Sequence, residues 1–470
     1  MKIKELFIED YKLLKNLTIN FDSQVTVFIG KNGSGKSTAI EFIAKIFYDL
    51  YTHFILEAGS KPEVDFKIRY EIDYESFKYE IYITSNKKTK EYYEVNIKKE
   101  GGNYKKYSKS QVKEEFINAY KSIFPQHVVM YYSGISVILQ DKFLAFQQNF
   151  ISRSLENPIK IEQPFFYFLP AHFSSILISL LSYQYGNIPK LLEQQFGISA
   201  FKQIKVTLQK PHWASAKSRV DDFWGAKGDL SVFLQRLSRA SCSAEVITEK
   251  SVDYIFSSQS ALEKLWSLYG EEKSLFEYLI TLQANDFISD IDITLVQNSV
   301  DISFNHLSEG QKQVLTILGL KELLSTANSL FLLDEPDTYL HPVWQRDFIS
   351  QINILEDNSK SNFIITTHSP QTLSNLHEQD VLIMRHGDIY SLDANGLFGR
   401  NSNAILEEVI GADDMSPQAQ KYIDQFNQYI TRKELGNALA SLEKTKEYLS
   451  EKDPFFSVAD MRIARLKRKM

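Results

Sequence analysis

Cysteine is almost absent from this 470-residue chain, which contains only Cys242. The chain therefore forms no internal disulfide, and a reducing compartment fits it best. No stretch approaches the roughly 20 consecutive apolar residues of a membrane span, and the longest apolar run lies near Ile176–Leu181. The first residues, MKIKELFIED, lack the apolar core of a secretory signal. We therefore expect a cytoplasmic protein that makes no contact with membranes.

An excess of positive charge is also missing, since the formal net charge is −6. The surface as a whole is thus not typical of nucleic-acid binding. One segment, Lys87–Lys109, is rich in lysine and allows two interpretations. Its lysines are solvated charges on hairpin faces, or they contact the phosphate backbone of DNA. They are Lys87, Lys88, Lys90, Lys98, Lys99, Lys105, Lys106 and Lys109.

Disorder is excluded by a hydrophobic content of 43%, and the length predicts roughly two to three domains. The nine histidines are scattered along the chain, and with one cysteine they form no His/Cys metal cluster. The residues that indicate a function instead lie in short motifs that follow predicted strands.

A glycine-rich loop follows the β-branched apolar run Val25–Ile29 and precedes apolar residues at helical spacing. Glycines let consecutive backbone N–H groups turn towards phosphate oxygens, and the helix directs the positive end of its dipole at them. Lys36 is predicted to reach the β and γ phosphates of ATP, and the Ser37 hydroxyl to bind Mg²⁺. The loop matches G-x-x-x-x-G-K-[ST] in residues Gly30, Lys31, Asn32, Gly33, Ser34, Gly35, Lys36, Ser37 and Thr38.

Two acids end the buried apolar strand predicted at Leu330–Leu333. Burying a carboxylate costs free energy, so two acids at the end of a buried strand indicate a chemical role. Asp334 is predicted to hold Mg²⁺, directly or through water, and Glu335 to act as the general base on the attacking water. His368 follows the next predicted strand, Phe363–Ile365, and is predicted to contact the γ phosphate.

A second helix start with anion-binding character lies at Ser308-Glu309-Gly310-Gln311. Together with the P-loop, the acidic pair and His368, it resembles the ATP-binding cassette (ABC) superfamily, with Glu309 in place of the second signature glycine. The sequence from Glu335 to Pro342, Glu-Pro-x-x-x-Leu-His-Pro, is similar to the OLD-like and SMC-like branches. The resemblance implies ATP and Mg²⁺ as cofactors. It also implies head-to-tail dimers, with each ATP between the P-loop of one copy and Ser308–Gln311 of the other.

The fold expected from these patterns and from the resemblance is α/β. It is a two-lobed ABC-type ATPase head with an antiparallel β subdomain, a helical insertion and C-terminal helices. Residues 1–135 hold the P-loop and a β meander, and residues 136–289 form a mostly helical insertion. Residues 290–400 carry the signature, the acidic pair and the switch histidine, and residues 401–470 form a helical region.

Three smaller assignments follow from the same resemblance. Gln126 and Gln140 are both candidates for the Q-loop glutamine, and the sequence does not choose between them. Tyr11 and Lys12 are either an adenine-side aromatic–basic pair or a strand-end pair on a hairpin. The region of Asp337 is implied to be the D-loop that crosses the dimer interface.

The branch is narrowed by the segment between Lys36 and Ser308. This segment is longer than the corresponding insert of transporter ATPases, which disfavours a transporter subunit. Residues 136–285 contain several prolines and no sustained heptad repeat, which disfavours the long coiled coil of an SMC-like protein. OLD-family nucleases carry a metal-dependent toprim domain after the switch histidine. The residues after His368 lack its glycine-flanked glutamate and Asp-x-Asp pair, so the sequence shows no intrinsic nuclease. The chain is most similar to ATPase subunits of Septu-type antiphage defence systems, which implies a regulatory role over a separate HNH nuclease. The alternative is an SMC- or RecF-like repair ATPase that clamps DNA directly.

Overall fold

The computed structural model describes residues 1–57, 61–117, 122–133, 141, 143, 164–267, 273–326, 328–354, 361–391, 417–449 and 454–467. The chain divides into two compact units, Met1–Phe398 and Gly399–Met470.

The strands are β1 Lys2–Tyr11, β2 Leu14–Asn20, β3 Val25–Ile29, β4 Phe66–Tyr74, β5 Phe77–Ser85, β6 Tyr93–Lys99, β7 Lys105–Tyr107, β8 His127–Tyr132, β9 Phe165–Tyr167, β10 Ile198–Gln209, β11 Ser243–Thr248, β12 Ser251–Phe256, β13 Ile288–Gln297, β14 Val300–Ser303, β15 Ser329–Asp334, β16 Asn362–Thr367, β17 Val381–Arg385 and β18 Asp388–Ser391. The α-helices are α1 Lys36–Phe54, α2 Lys109–Phe116, α3 Phe173–Ser182, α4 Asn187–Phe196, α5 Gly228–Ala240, α6 Gln259–Trp266, α7 Lys273–Ala284, α8 Glu309–Leu324, α9 Pro342–Ile354, α10 Pro370–Leu373, α11 Pro417–Thr431, α12 Leu435–Thr445 and α13 Pro454–Lys467.

The central sheet of the first unit has the strand order β18-β17-β3-β16-β15-β8-β9. Its strands run parallel except for the antiparallel pair β17–β18. β3, β15 and β16 are buried along their whole length, as expected for parallel strands covered on both faces. Helix α1 packs on one face of this sheet. The predicted α/β class is confirmed, and the carboxyl ends of the parallel strands lie along one edge.

An antiparallel sheet with the order β2-β1-β4-β5-β6-β7 packs its apolar face into the same core. Alternate residues of β4, from Phe66 to Tyr74, are buried. This period-two pattern is the one from which the sequence analysis predicted a meander.

A third sheet has the strand order β11-β12-β10-β13-β14 and adds strands to residues 136–289, where the sequence analysis expected a mostly helical insertion. Three of its strands, β10, β11 and β12, lie inside that range and were not predicted. Ile204, Val206 and Leu208 alternate as buried residues in β10, whereas the first half of this strand is largely exposed. The alternation is therefore confined to three apolar residues, which is a weak strand signal. β9 also lies in this range, but it pairs with β8 of the central sheet.

His172 is a fully buried imidazole in the short turn between β9 and α3. Its Nδ1 accepts a hydrogen bond from the Leu169 N–H at 3.1 Å, and its ring packs against Phe166. Burial lowers the pKa of His172 from 6.5 to about 4. The folded state therefore requires the neutral ring, whereas the unfolded chain binds a proton below pH 6.5.

We expect the free energy of unfolding to fall by about 2 kcal/mol between pH 8 and pH 5 through His172 alone. The loss begins as the pH falls below the unfolded pKa of 6.5 and is complete near the folded pKa of about 4. Urea unfolding of the wild type and of His172→Gln, which cannot titrate here, measures the difference. An identical pH dependence in the two proteins would refute this assignment.

The second unit contains α11, α12 and α13 around a small apolar core. Phe426, Ala438, Leu442, Ala459 and Ile463 form this core. Among the described residues of both units, no helix has the length and apolar composition needed to cross a bilayer.

Candidate functional site

The site is built at the carboxyl edge of the central sheet. In the register of the strands, Thr367 of β16 is level with Ile29 of β3, where the P-loop begins. Asp334 of β15 is level with Thr366 on one side and Tyr132 of β8 on the other. The ends of four neighbouring strands thus bring together motifs that lie more than 300 residues apart in the sequence.

Close packing explains the glycines of the P-loop. A Cβ on Gly30 would lie 2.2 Å from the carbonyl oxygen of Met384, at the end of β17. Gly35, the residue before α1, has a φ of 110°, which favours glycine. The Gly387 N–H donates to the Ser34 carbonyl at 2.9 Å, so the β17–β18 turn supports the loop.

The Lys36 side chain lies inside the loop rather than in solvent. Its ammonium donates to the carbonyl oxygens of Gly30 at 2.7 Å and Lys31 at 3.2 Å. Burial lowers the pKa of Lys36, and the carboxylates of Glu335 and Asp334 oppose this effect. The first turn of α1 contains no acid, so its dipole and Lys36 both favour an anion at the loop.

Ser37 and Asp334 form the candidate metal pair. The Ser37 hydroxyl donates to Asp334 Oδ1 at 3.0 Å, and the Thr366 hydroxyl donates to the same oxygen. Burial raises the pKa of Asp334, and these two hydrogen bonds oppose the shift. Two hard oxygen donors fit Mg²⁺ when phosphates and water complete its octahedron. Among the described residues no cluster of three or more acidic, histidine or cysteine side chains offers a separate metal site.

Glu335 adopts a left-handed backbone conformation with a φ of 49°. This conformation is unfavourable for a non-glycine residue, and here hydrogen bonds from the Glu335 N–H to the Thr366 carbonyl and hydroxyl oxygens hold it. Glu335 Oε1 lies 3.3 Å from His368 Nδ1, and both side chains are partly accessible to solvent. The structure therefore brings the side chains of Glu335 and His368 into contact.

The signature residues lie apart from this cluster. The Ser308 hydroxyl accepts from the Gln311 N–H at 3.2 Å, and Gln311 Oε1 accepts from the Ser308 N–H at 2.9 Å. This capping box satisfies amides at the start of α8, while Glu309 pairs with Lys312 and is largely exposed. Among the described residues, no hydrogen bond or ion pair joins Ser308–Gln311 to Gly30–Thr38.

Asp337 is buried inside its own subunit. Its carboxylate accepts hydrogen bonds from the Thr367 and Thr372 hydroxyls, and burial raises its pKa. The neighbouring Tyr339 is 58% exposed, and its carbonyl oxygen would lie 2.9 Å from a Cβ on Gly310. The exposed part of the predicted D-loop is therefore at Tyr339, beside the signature helix.

The structure bears on two smaller assignments that the sequence left open. Tyr11 is buried with its ring 4.6 Å from that of Phe42, and its hydroxyl donates to Glu41, as does Lys12. This contact fits the strand-end interpretation and leaves no ring free to stack on adenine. Gln126 precedes β8 at the amino edge of the sheet, opposite the P-loop, so it is not the Q-loop glutamine. Gln140 lies outside the described residues.

Two residues of the site were missed by the sequence analysis. Thr366 joins Asp334 to the backbone of Glu335, and Tyr132 lines a small cavity together with Ser37 and Asp334. Tyr132 is the last residue of β8 and Thr366 the last but one of β16, and a position at the carboxyl end of a central strand was the signal that could have identified them.

Carboxylates neutralise part of the lysine-rich segment Lys87–Lys109. Lys87 pairs with Glu9 at 3.6 Å, Lys98 with Glu80 at 3.3 Å and Lys106 with Glu94 at 2.8 Å. These contacts favour the interpretation as solvated charges, and a DNA contact here stays a prediction.

Comparison with known proteins adds a family match. Residues 1–373 match the family model described as AAA ATPase domain. The Retron Ec83 probable ATPase of Escherichia coli is 27% identical over 150 residues, covering 30% of this chain and 27% of that protein. Septu protein PtuA of Bacillus thuringiensis is 25% identical over 198 residues, covering 38% of this chain and 50% of that protein. The chain thus spans half or less of the length of these two curated relatives.

Solved structures give a weaker likeness. The SMC head domain from Thermotoga maritima has a TM-score of 0.36 and 13% identity, covering 84% of this chain and all of that one. The predicted resemblance to an ABC/AAA-like ATPase related to the Septu ATPases is confirmed by the family match and by PtuA.

Proposed function

This chain belongs to the AAA ATPase domain family, and on that basis we propose that it is an ATP-hydrolysing regulatory subunit of an antiphage defence system. Two copies would close around ATP and thereby control a separate HNH nuclease. The observation that carries the proposal is the assembly of Lys36, Ser37, Asp334, Glu335 and His368 at one sheet edge.

ATP binding exchanges one set of hydrogen bonds for another. The Lys36 ammonium leaves the Gly30 and Lys31 carbonyl oxygens and donates to the β and γ phosphates. The backbone N–H groups of the loop and the start of α1 supply further donors and a favourable dipole. Because the ammonium is already buried, this exchange adds little further desolvation of the lysine.

Hydrolysis requires a water molecule opposite the β–γ bridging oxygen. Its oxygen bonds to the γ phosphorus, the bond from phosphorus to the bridging oxygen breaks, and Glu335 accepts the proton. Ser37 and Asp334 would hold Mg²⁺, which would neutralise part of the phosphate charge. His368 lies 3.3 Å from Glu335, so it would orient that carboxylate and contact the γ phosphate.

The head-to-tail arrangement is supported by the exposed signature residues. Ser308 and Glu309 face solvent beside Tyr339, whereas the P-loop cluster is at the sheet edge. Closure on ATP would convert binding energy into a change of subunit arrangement, which the nuclease would detect. The relation to PtuA and to a retron ATPase supports the defence role.

Affinity purification of the full chain from its native host tests the proposal. With ATP present, we expect a stoichiometric nuclease to copurify, and its yield to change when ATP is removed. The Lys36→Ala chain is the matched control, and its nuclease yield should be the same with and without ATP. An ATPase without a partner that binds duplex DNA with strong salt dependence would instead favour the direct DNA clamp.

A further inference from the structure

A cavity of about 70 Å³ lies between α1 and the carboxyl ends of β8, β9 and β15. It is large enough to hold ordered water. Its polar lining includes both members of the candidate metal pair. The lining residues are Ser37, Thr38, Ile40, Glu41, Met130, Tyr132, Tyr167 and Asp334.

The pleat of β8 directs Tyr132 towards this cavity. Tyr132 is level with Asp334 on the neighbouring parallel strand, so both side chains lie on the face that α1 covers. Met130, two residues earlier, lines the same cavity. Tyr131 faces the opposite side, where its hydroxyl accepts a hydrogen bond from Gln313 at 3.2 Å. The Ser133 N–H donates to the Asp334 carbonyl and extends the ladder beyond Tyr132.

The phenol of Tyr132 lies among carboxylates. Burial raises the pKa of the Tyr132 phenol, and the negative charges of Asp334, Glu335 and Glu41 raise it further. Glu41 already accepts from Tyr11 and Lys12. Within the described part of the chain, no side chain or carbonyl is hydrogen-bonded to the Tyr132 hydroxyl. Tyr132, which lines the cavity together with Ser37 and Asp334, therefore has a hydroxyl available for water.

We propose that Tyr132 is a positioning residue whose hydroxyl orders a water ligand of the metal held by Ser37 and Asp334. The inference rests on the proposed ATPase function and deepens it. Mg²⁺ keeps several of its water ligands in nucleotide sites, so the hydrogen-bond partners of those waters orient the whole coordination shell.

Removal of the hydroxyl in Tyr132→Phe is expected to lower kcat about 10-fold, with KM for ATP changed less than 2-fold. The Mg²⁺ concentration that half-maximally strengthens binding of a fluorescent ATP analogue should rise about 10-fold, which is independent of turnover. Binding of the analogue in EDTA should be unchanged. The control Tyr70→Phe removes a buried hydroxyl that donates to the Ile123 carbonyl, and should lower stability without altering the Mg²⁺ dependence.

Tyr132→Leu separates the hydroxyl from the ring. A positioning hydroxyl predicts the same kcat and Mg²⁺ dependence for the Leu and Phe variants at a temperature where both are folded. A packing role predicts that Phe behaves as wild type and only Leu is impaired, and that result would overturn the inference. If the wild type itself fails to hydrolyse ATP or to bind it with Mg²⁺, the proposed function fails first.

Discussion

Glu335→Gln is expected to lower kcat for ATP hydrolysis about 100- to 1,000-fold while ATP stays bound. The amide cannot accept the proton of the attacking water, but it has nearly the shape of the carboxylate. The backbone hydrogen bonds from the Glu335 N–H to Thr366 do not involve the side chain and should persist. Affinity for ATP should hold or rise, because one negative charge near the γ phosphate is removed. Phosphate release and binding of a fluorescent analogue measure the two quantities.

The same variant tests the proposed closure of two copies around ATP. Because ATP remains intact, size-exclusion chromatography with Mg²⁺-ATP should show Glu335→Gln as a dimer that persists longer than the wild-type dimer. Glu94→Gln, which changes a carboxylate paired with Lys106 on the antiparallel sheet, is the matched control and should keep wild-type kcat. Hydrolysis by Glu335→Gln at the wild-type rate would exclude Glu335 as the base.

Lys36→Ala should weaken ATP binding about 100-fold, which corresponds to two charge-assisted hydrogen bonds. The free chain should retain its stability, since the hydrogen bonds that the buried ammonium makes to described residues go only to the Gly30 and Lys31 carbonyl oxygens. We therefore expect the melting temperature of Lys36→Ala without nucleotide to equal that of the wild type. Adding Mg²⁺-ATP should raise the melting temperature of the wild type but not that of Lys36→Ala.

Lys12→Ala is the control for this prediction. Lys12 is exposed and pairs with Glu41, so its loss removes a positive charge near α1 without opening the P-loop. The ATP-dependent rise in melting temperature should survive in Lys12→Ala. If Lys36→Ala retains tight ATP binding, the P-loop assignment is wrong.

Local patterns were enough to predict most of the site. Val25–Ile29 ends at the glycine loop, and Leu330–Leu333 ends at Asp334, so each motif is recognisable from adjacent residues. Parallel pairing with β16 then places His368 beside both. Tertiary packing decided the features that the sequence did not predict. Gln126 is close in sequence to β8 but lies at the wrong end of that strand.

The short and half-exposed strands were the least predictable. β9 has three residues, too few to show a period, and only its pairing with β8 assigns it to the central sheet. β10 is twelve residues long, but its buried alternation begins only at Ile204. Tyr11 was ambiguous for a different reason. An aromatic ring near a P-loop can stack on a nucleotide base or pack in the core, as Tyr11 does against Phe42, and the sequence does not distinguish the two.

The single hydroxyl of Thr366 donates to Asp334 and accepts from the backbone of Glu335. The Asp334 carboxylate and the Glu335 backbone N–H are therefore both hydrogen-bonded to one hydroxyl group, so we expect their positions to be coupled. Substitutions at Asp334 and at Thr366 should have effects on turnover that do not add, and the deviation in a double-mutant cycle is the coupling energy of this hydroxyl. Thr366 thus couples the position of the Asp334 carboxylate to that of the Glu335 backbone, and under the proposed function a displacement of the cation ligand would also move the proton acceptor.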